Sequence, residues 1–353
     1  MLKITRRALA AMVAATALVA GSGAAMAEPV NLTAETSSPG NSPHLSIVHM
    51  ADILARAGIA NLQVQEGQTA TNTIVNVAEG KADIASTPLI LHFLLRRGAG
   101  PYAAQGEKGK DLAANLRVLY PYNSGAYGLF AHQSTGIAKW DDIKGKTIFN
   151  GPPRGAALVS ARLLIQGATG FKDGEDYKGM QANWGQLPGI LVDGSAQGFA
   201  VPLTFPSDRI TTALAAGKVN LLSVPKATYE SDAFQKLLSA PGNTPYEVKA
   251  EEMGYGADQG VNLISEDGVF RGMGSAFADT VNKDMDKDLV KRIVKAYIDA
   301  LPELKTKAPY MGNVGLANLD GKASGFCAAG VKYHPGAIEA WEEAGYTIPD
   351  CAR

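Results

Sequence analysis

Cysteine is nearly absent from this chain: two residues in 353, Cys327 and Cys351. That excludes a disulfide-dense miniprotein and a multi-cysteine metal domain. An excess of one charge is missing as well. The 33 basic and 34 acidic residues give a formal net charge of -1, which removes any bulk electrostatic case for nucleic-acid binding. After the N-terminal stretch no apolar run exceeds a few residues, which predicts a soluble mature chain that is not membrane-embedded. No internal repeat or low-complexity tract occurs outside that stretch. What is present is the composition of a folded protein, 46% hydrophobic and 19% charged, unlike a disordered or fibrous chain. The length suits two lobes better than one core. Glycine (39) and proline (18) together make about one residue in six, which implies many turns between short elements.

Residues 1–27 read as an export signal. Lys3, Arg6 and Arg7 precede the apolar run Ala8 to Ala20, and Ala25-Met26-Ala27 supplies small residues for cleavage after Ala27. The alternative, a membrane anchor, needs roughly 20 apolar residues, more than this run provides. Losing three basic residues and no acids takes the net charge from -1 to -4. Export to an oxidising periplasm would let Cys327 and Cys351 pair and staple the C-terminal tail; two free thiols are the alternative. Closing a loop of about 25 residues would restrict the unfolded chain by roughly 3–3.5 kcal/mol.

Along the mature chain, strand, polar loop and helix alternate. Val30 to Glu35 reads as a strand, followed by the polar loop Thr36 to Pro43 and a helix ending at Gly58. Leu62 to Gln65, the loop Glu66 to Thr69 and a helix through Ala78 repeat the unit. Asp83 to Ser86, with a helix opened by Pro88, repeats it again. Such repetition implies a parallel sheet with right-handed crossovers. Leu116–Tyr122 and Ala126–His132 read as two strands around Asn123-Ser124-Gly125, the expected crossing into a second lobe. There a strand from Lys146 leads through Gly151 to Gly155 into a helix over Ala156 to Gln166. Gly198 to Pro202 and Leu221 to Val224 read as further strands. The expected division is residues 28–123 and 225–353 for the first lobe and 124–224 for the second, with final helices near Lys287–Leu304 and Pro335–Ala344.

Open parallel sheets place ligands at the carboxyl ends of their strands, where loops run into helix N-termini that attract anions. Three loops have suitable chemistry: Thr36 to Ser42, Gly67-Gln68-Thr69 with Asn72 one turn on, and Gly151 to Gly155, where Arg154 is placed to grip a carboxylate. Enzyme signatures fail. Ser223-Val224-Pro225-Lys226 has Ser-x-x-Lys spacing without its companion motifs, and its proline breaks the helix that motif requires. Lys144 to Thr147 lacks the first glycine of a phosphate loop, and Gly98-Ala99-Gly100 follows a helix rather than a strand. His44 and His49, five apart, miss the spacing that presents two ligands to a metal. His334 reads as the entry to the last helix, with Pro335 in its first turn.

The stretch Gln65 to Asn72 resembles a degraded form of the threonine-glycine-glycine-serine…asparagine loop of TAXI-type solute receptors, the binding proteins of one branch of the tripartite ATP-independent periplasmic (TRAP) transporters. Further pieces match in order: Gly80-Lys81-Ala82-Asp83-Ile84-Ala85, Leu119-Tyr120-Pro121, Trp140 to Lys146, Gly151-Pro152-Pro153 and Tyr333-His334-Pro335-Gly336-Ala337. The resemblance implies an α/β, two-lobe periplasmic-binding-protein (type II-like) fold with hinge strands and a central ligand cleft. It implies ligand contacts from Ser38, Asn41, Thr69, Asn72, Thr87, Tyr122, Arg154, Gly155, Trp184 and the segment Phe199–Pro202, with Val201 at its middle. The first loop departs from the family's glycine- and threonine-rich pattern, and Arg154 to Ala157 replace its usual hydroxyls with a cation, which favours a small carboxylated solute. The expected function is reversible capture of a dicarboxylate, keto acid or glutamate-like amino acid, without catalysis, metal or cofactor, by a monomer that delivers it to TRAP membrane subunits. The alternatives are a receptor for an ATP-driven importer or sensor kinase, and a periplasmic hydrolase.

Overall fold

The computed structural model describes residues 28–353 except 38, 40, 257, 322 and 323. The expected export signal therefore lies outside the described residues. The strands are β1 (Val30–Glu35), β2 (Ala60–Gln65), β3 (Ile84–Pro88), β4 (Leu116–His132), β5 (Thr147–Phe149), β6 (Lys178–Met180), β7 (Gly198–Leu203), β8 (Val219–Leu222), β9 (Asn243–Lys249), β10 (Val261–Ile264) and β11 (Val269–Asn282). Helices α1 (Ser42–Arg56), α2 (Ala70–Ala78), α3 (Leu89–Arg97), α4 (Gly106–Ala114), α5 (Ala156–Thr169), α6 (Leu187–Asp193) and α7 (Asp208–Ala213) precede a C-terminal group that includes Lys287–Leu304 and Pro335–Glu343.

The sheet runs β2-β1-β3-β11-β4-β7-β5-β6, with β8 branching from β4, β10 from β8, and β9 from β11. β1 pairs in parallel with β2 and β3, as the repeated strand–helix units require. β5 pairs in parallel with β6 and β7 in the other half. Two long antiparallel strands join the halves. The first part of β4 pairs with the second part of β11, and beyond Ala126 β4 turns to β7 and β8. The expected break at Asn123-Ser124-Gly125 is a bulge inside one continuous strand: the register passes from Asn123 opposite Ala276 to Ala126 opposite Gly274, skipping Ser124 and Gly125. Gly125 has φ +104, and a side-chain carbon there would collide with the Leu203 carbonyl oxygen, so only glycine fits the crossing.

Hydrophobic clusters follow the same division. One core packs Ile47, Met50 and Leu54 of α1 and Ile293, Val294 and Tyr297 of the helix Lys287–Leu304 around β1, β4 and β11. That helix buries Leu289, Val290, Ile293, Val294, Tyr297, Leu301 and Leu304, a 3–4 spacing that yields one apolar stripe, and Asp286 caps it by accepting from the Leu289 N–H at 2.8 Å. Tyr297 stacks on Tyr120 with ring centroids 3.5 Å apart. The second half holds two cores built on Phe130, Phe149, Phe199 and Phe205, and on Trp140, Leu164 and Phe234. Phe234, Tyr246, Val248 and Phe270 belong to these second-half cores. The chain therefore returns later than residue 225, along β11, because β9 pairs with the early part of that strand.

Cys327 and Cys351 form a disulfide, 24 residues apart with Cα atoms at 5.5 Å. His334 caps the last helix, its Nδ1 accepting from the Gly336 N–H at 3.2 Å. Among the described residues no helix is long and apolar enough to cross a membrane.

Candidate functional site

A cavity of about 500 Å³ lies where the two halves face each other. Its first wall is made by loops at the carboxyl ends of β1, β2 and β3. Asn41 caps α1: its Oδ1 accepts from the Ser37 hydroxyl at 2.7 Å and from the His44 N–H at 3.0 Å. The Gln68 N–H donates to the Thr36 carbonyl at 2.9 Å, which braces the first loop against the second. Thr69 precedes α2 without a capping side-chain bond, and Gly155 precedes α5 in the same way. No acid occupies the first turn of α1, α2 or α5. The first-turn N–H groups of α2 and α5 thus keep their partial positive charge uncompensated by side chains.

The second wall carries the cavity's cation. Arg209 stands in the first turn of α7, after the loop from β7 that ends at Ser207. Its guanidinium donates to the Pro202 carbonyl and lies over the Trp184 ring, 4.6 Å from the centroid. Desolvation pulls its pKa down to about 10, so it remains charged at neutral pH. Asp208 and Arg209 are the only charged side chains lining the cavity among the described residues, and Asp208 is exposed. Hydroxyls supply most of the other polar groups, Ser86, Ser124 and Ser160 among them, and proline rings, Trp184, Leu191 and Phe277 supply apolar surface.

Of the residues expected to meet a ligand, Asn41, Thr69, Gly155 and Trp184 line this cavity. Ser38 lies outside the described residues; Ser37 and Pro39 line the wall. Thr87 and Val201 point the other way. A strand sends successive side chains to opposite faces, so on β3 it is Ser86 that reaches the cavity, while the Thr87 hydroxyl bonds His92 Nε2 and Thr280 at 2.9 Å each. On β7 it is Pro202 that lines the wall, and Val201 is sealed in the core. Tyr122 sits behind the cavity, its hydroxyl bonded to the Ser86 hydroxyl and its ring beside a separate void of about 20 Å³ under α1. Asn72 is exposed on α2, away from the wall. Arg154 is exposed too: it takes a left-handed φ of +58 at the tip of its loop, which turns the side chain outward.

The guanidinium in the cavity therefore belongs to Arg209, which sequence reasoning passed over. Its signal was available, because Thr204 to Ser207 is a fourth loop between a strand and a helix, and Arg209 follows it directly in that helix. Ser223, of the Ser-x-x-Lys pattern, is occupied: its hydroxyl accepts from the Arg271 N–H at 2.9 Å and donates to the Val269 carbonyl at 3.0 Å.

Two α/β lobes, joined by a pair of long antiparallel strands around a polar cleft, make the two-lobed fold of periplasmic binding proteins. The chain belongs to the NMT1-like family, whose model matches residues 36–345. No curated protein matches it. Among solved structures, it is similar to an extracytoplasmic solute receptor from Bordetella pertussis that binds pyroglutamic acid, at 12% identity over 88% of this chain and 91% of that one, with a TM-score of 0.45. It is similar to a TRAP periplasmic solute binding protein from Ralstonia eutropha with bound (S)-2-acetolactate, at 13% identity over 91% and 86%, with a TM-score of 0.44. Its overlap with the alkanesulfonate-binding protein SsuA from Xanthomonas axonopodis pv. citri spans 50% of this chain and only 56% of that one, at 15% identity and a TM-score of 0.35.

Proposed function

We propose that this protein is an exported solute receptor that captures a small carboxylated metabolite between its lobes and delivers it to a TRAP membrane carrier, as the TAXI-like motifs suggest. The observation that carries this reading is the Arg209 guanidinium, which faces the cavity and forms no ion pair among the described residues. A partly desolvated cation held by no close carboxylate is costly, and the ligand would provide one. Arg209 grips the carboxylate, the open N–H groups of α2 and α5 add partial positive charge, and hydroxyls of both walls set orientation. Asn41, Thr69, Gly155 and Trp184 belong to the contact set. Bending at the β4–β11 crossing closes the lobes and excludes water, after which the ligand leaves unchanged.

A thermal-shift screen of organic and amino acids tests this, because a ligand bound only by the folded state raises Tm. At least one carboxylate should raise it, and Arg209→Ala should weaken that ligand roughly tenfold or more, the worth of one charge-assisted bond at ~1.5–3 kcal/mol. No response to any acid, or an equal response in the variant, would refute it. The carrier assignment is tested by uptake into vesicles holding TRAP membrane subunits, which should require this receptor. Export predicts a secreted form that begins at Glu28.

A further inference from the structure

The cleft's charges and surfaces say more about the ligand than that it is an acid. We infer that the preferred solute is a monocarboxylate with an apolar body, rather than a dicarboxylate or an amino acid; this rests on the receptor reading above.

Three observations support it. First, Arg209 is the sole cationic side chain lining the cavity among the described residues. A second carboxylate would meet only helix N-termini of about half a charge each, which offset its desolvation in part. Second, the ammonium of an amino acid would need a desolvated acid opposite it. Asp208 is exposed, where an ion pair is worth little, and the nearby acids are engaged away from the cavity: Glu66 with His44 Nε2 at 2.8 Å and Glu35 with Asn76 at 2.9 Å. Third, both walls carry apolar surface among their hydroxyls. Pro39, Pro88 and Ile90 belong to the first and Trp184, Pro188 and Leu191 to the second. Trp184 also fixes the guanidinium, so the ligand's acid and its apolar body meet the protein at adjoining points.

Isothermal titration of the full mature chain with phenylacetate, hexanoate, phenylacetamide, succinate and glutamate decides the matter. The expected result is that phenylacetate or hexanoate binds at least tenfold more tightly than phenylacetamide, succinate and glutamate. Arg209→Ala should abolish the preference for acid over amide, and Arg209→Lys should keep part of it, which guards against a folding defect in the alanine variant. Tighter binding of succinate or glutamate, lost in Arg209→Ala, would overturn the inference and leave the receptor reading intact. Equal binding of phenylacetate and phenylacetamide, or binding of none of the five, would overturn both.

Discussion

The buried carboxylate of Asp279 makes a prediction that needs no ligand. Asp279 stands mid-strand on β11, opposite Ser86 on β3 and Tyr120 on β4, with no exposed surface. The Ser46 hydroxyl of α1 donates to it at 2.7 Å, and among the described residues no lysine or arginine pairs with it. Burial outweighs the hydroxyls of Ser46, Ser86 and Tyr120 and raises its pKa from 3.8 to about 6. That difference corresponds to about 3 kcal/mol of cost for keeping the ionised form folded. The folded state holds the proton more tightly than the unfolded chain, so this contribution favours folding as pH falls from about 6 to about 4 and opposes it fully above about 6. Asp279→Asn removes the titration and keeps an acceptor for Ser46. The variant should be more stable than the parent by ~1–2 kcal/mol near pH 7.5, once about 1 kcal/mol of hydrogen-bond disturbance is subtracted. The advantage should shrink to nothing or reverse near pH 4. Urea unfolding of both proteins at several pH values gives the difference directly, with unrelated titrations cancelling. A difference that stays constant from pH 4 to 7.5 would refute the claim that Asp279 is ionised and buried at neutral pH.

Other consequences are simpler. Reduction of Cys327–Cys351, or its replacement by serines, should lower stability by about 3 kcal/mol through the loop it closes, read as a reductant-dependent drop in urea midpoint; equal midpoints would show that the staple constrains nothing. Gly125→Ala should cost more than ~2 kcal/mol, because the methyl group meets the Leu203 carbonyl and the residue must hold φ +104, and a neutral effect in thermal unfolding would mean that the crossing can relax. Asn41→Ala should cost about 1 kcal/mol by uncapping α1 and should also loosen the Thr36 to Asn41 loop; faster amide exchange there is the check. Arg154→Ala should leave acid binding unchanged, because its side chain stands outside the cavity, and a tenfold loss would return it to the site.

Much of the architecture was legible in the sequence by itself, because short-range physics writes it there. The strand Val30–Glu35, the helix Lys287–Leu304 and the Pro335 helix start stand where periodicity, caps and prolines put them. So do the loops that carry Asn41, Thr69 and Gly155 to the cleft, since each lies between a strand and a helix start. Tertiary structure decided what depends on partners distant in the chain. Whether Ser86 or Thr87 faces the ligand turns on one step of strand parity, which the packing of β3 against β11 settles. That Leu116–His132 is one strand rather than two depends on β11, some 150 residues away, supplying its pairing. The choice between Arg154 and Arg209 was likewise beyond local reading: each follows a strand by about half a dozen residues, near a helix start. Only the folded chain shows that one side chain ends in solvent and the other is held against Trp184 inside the cleft.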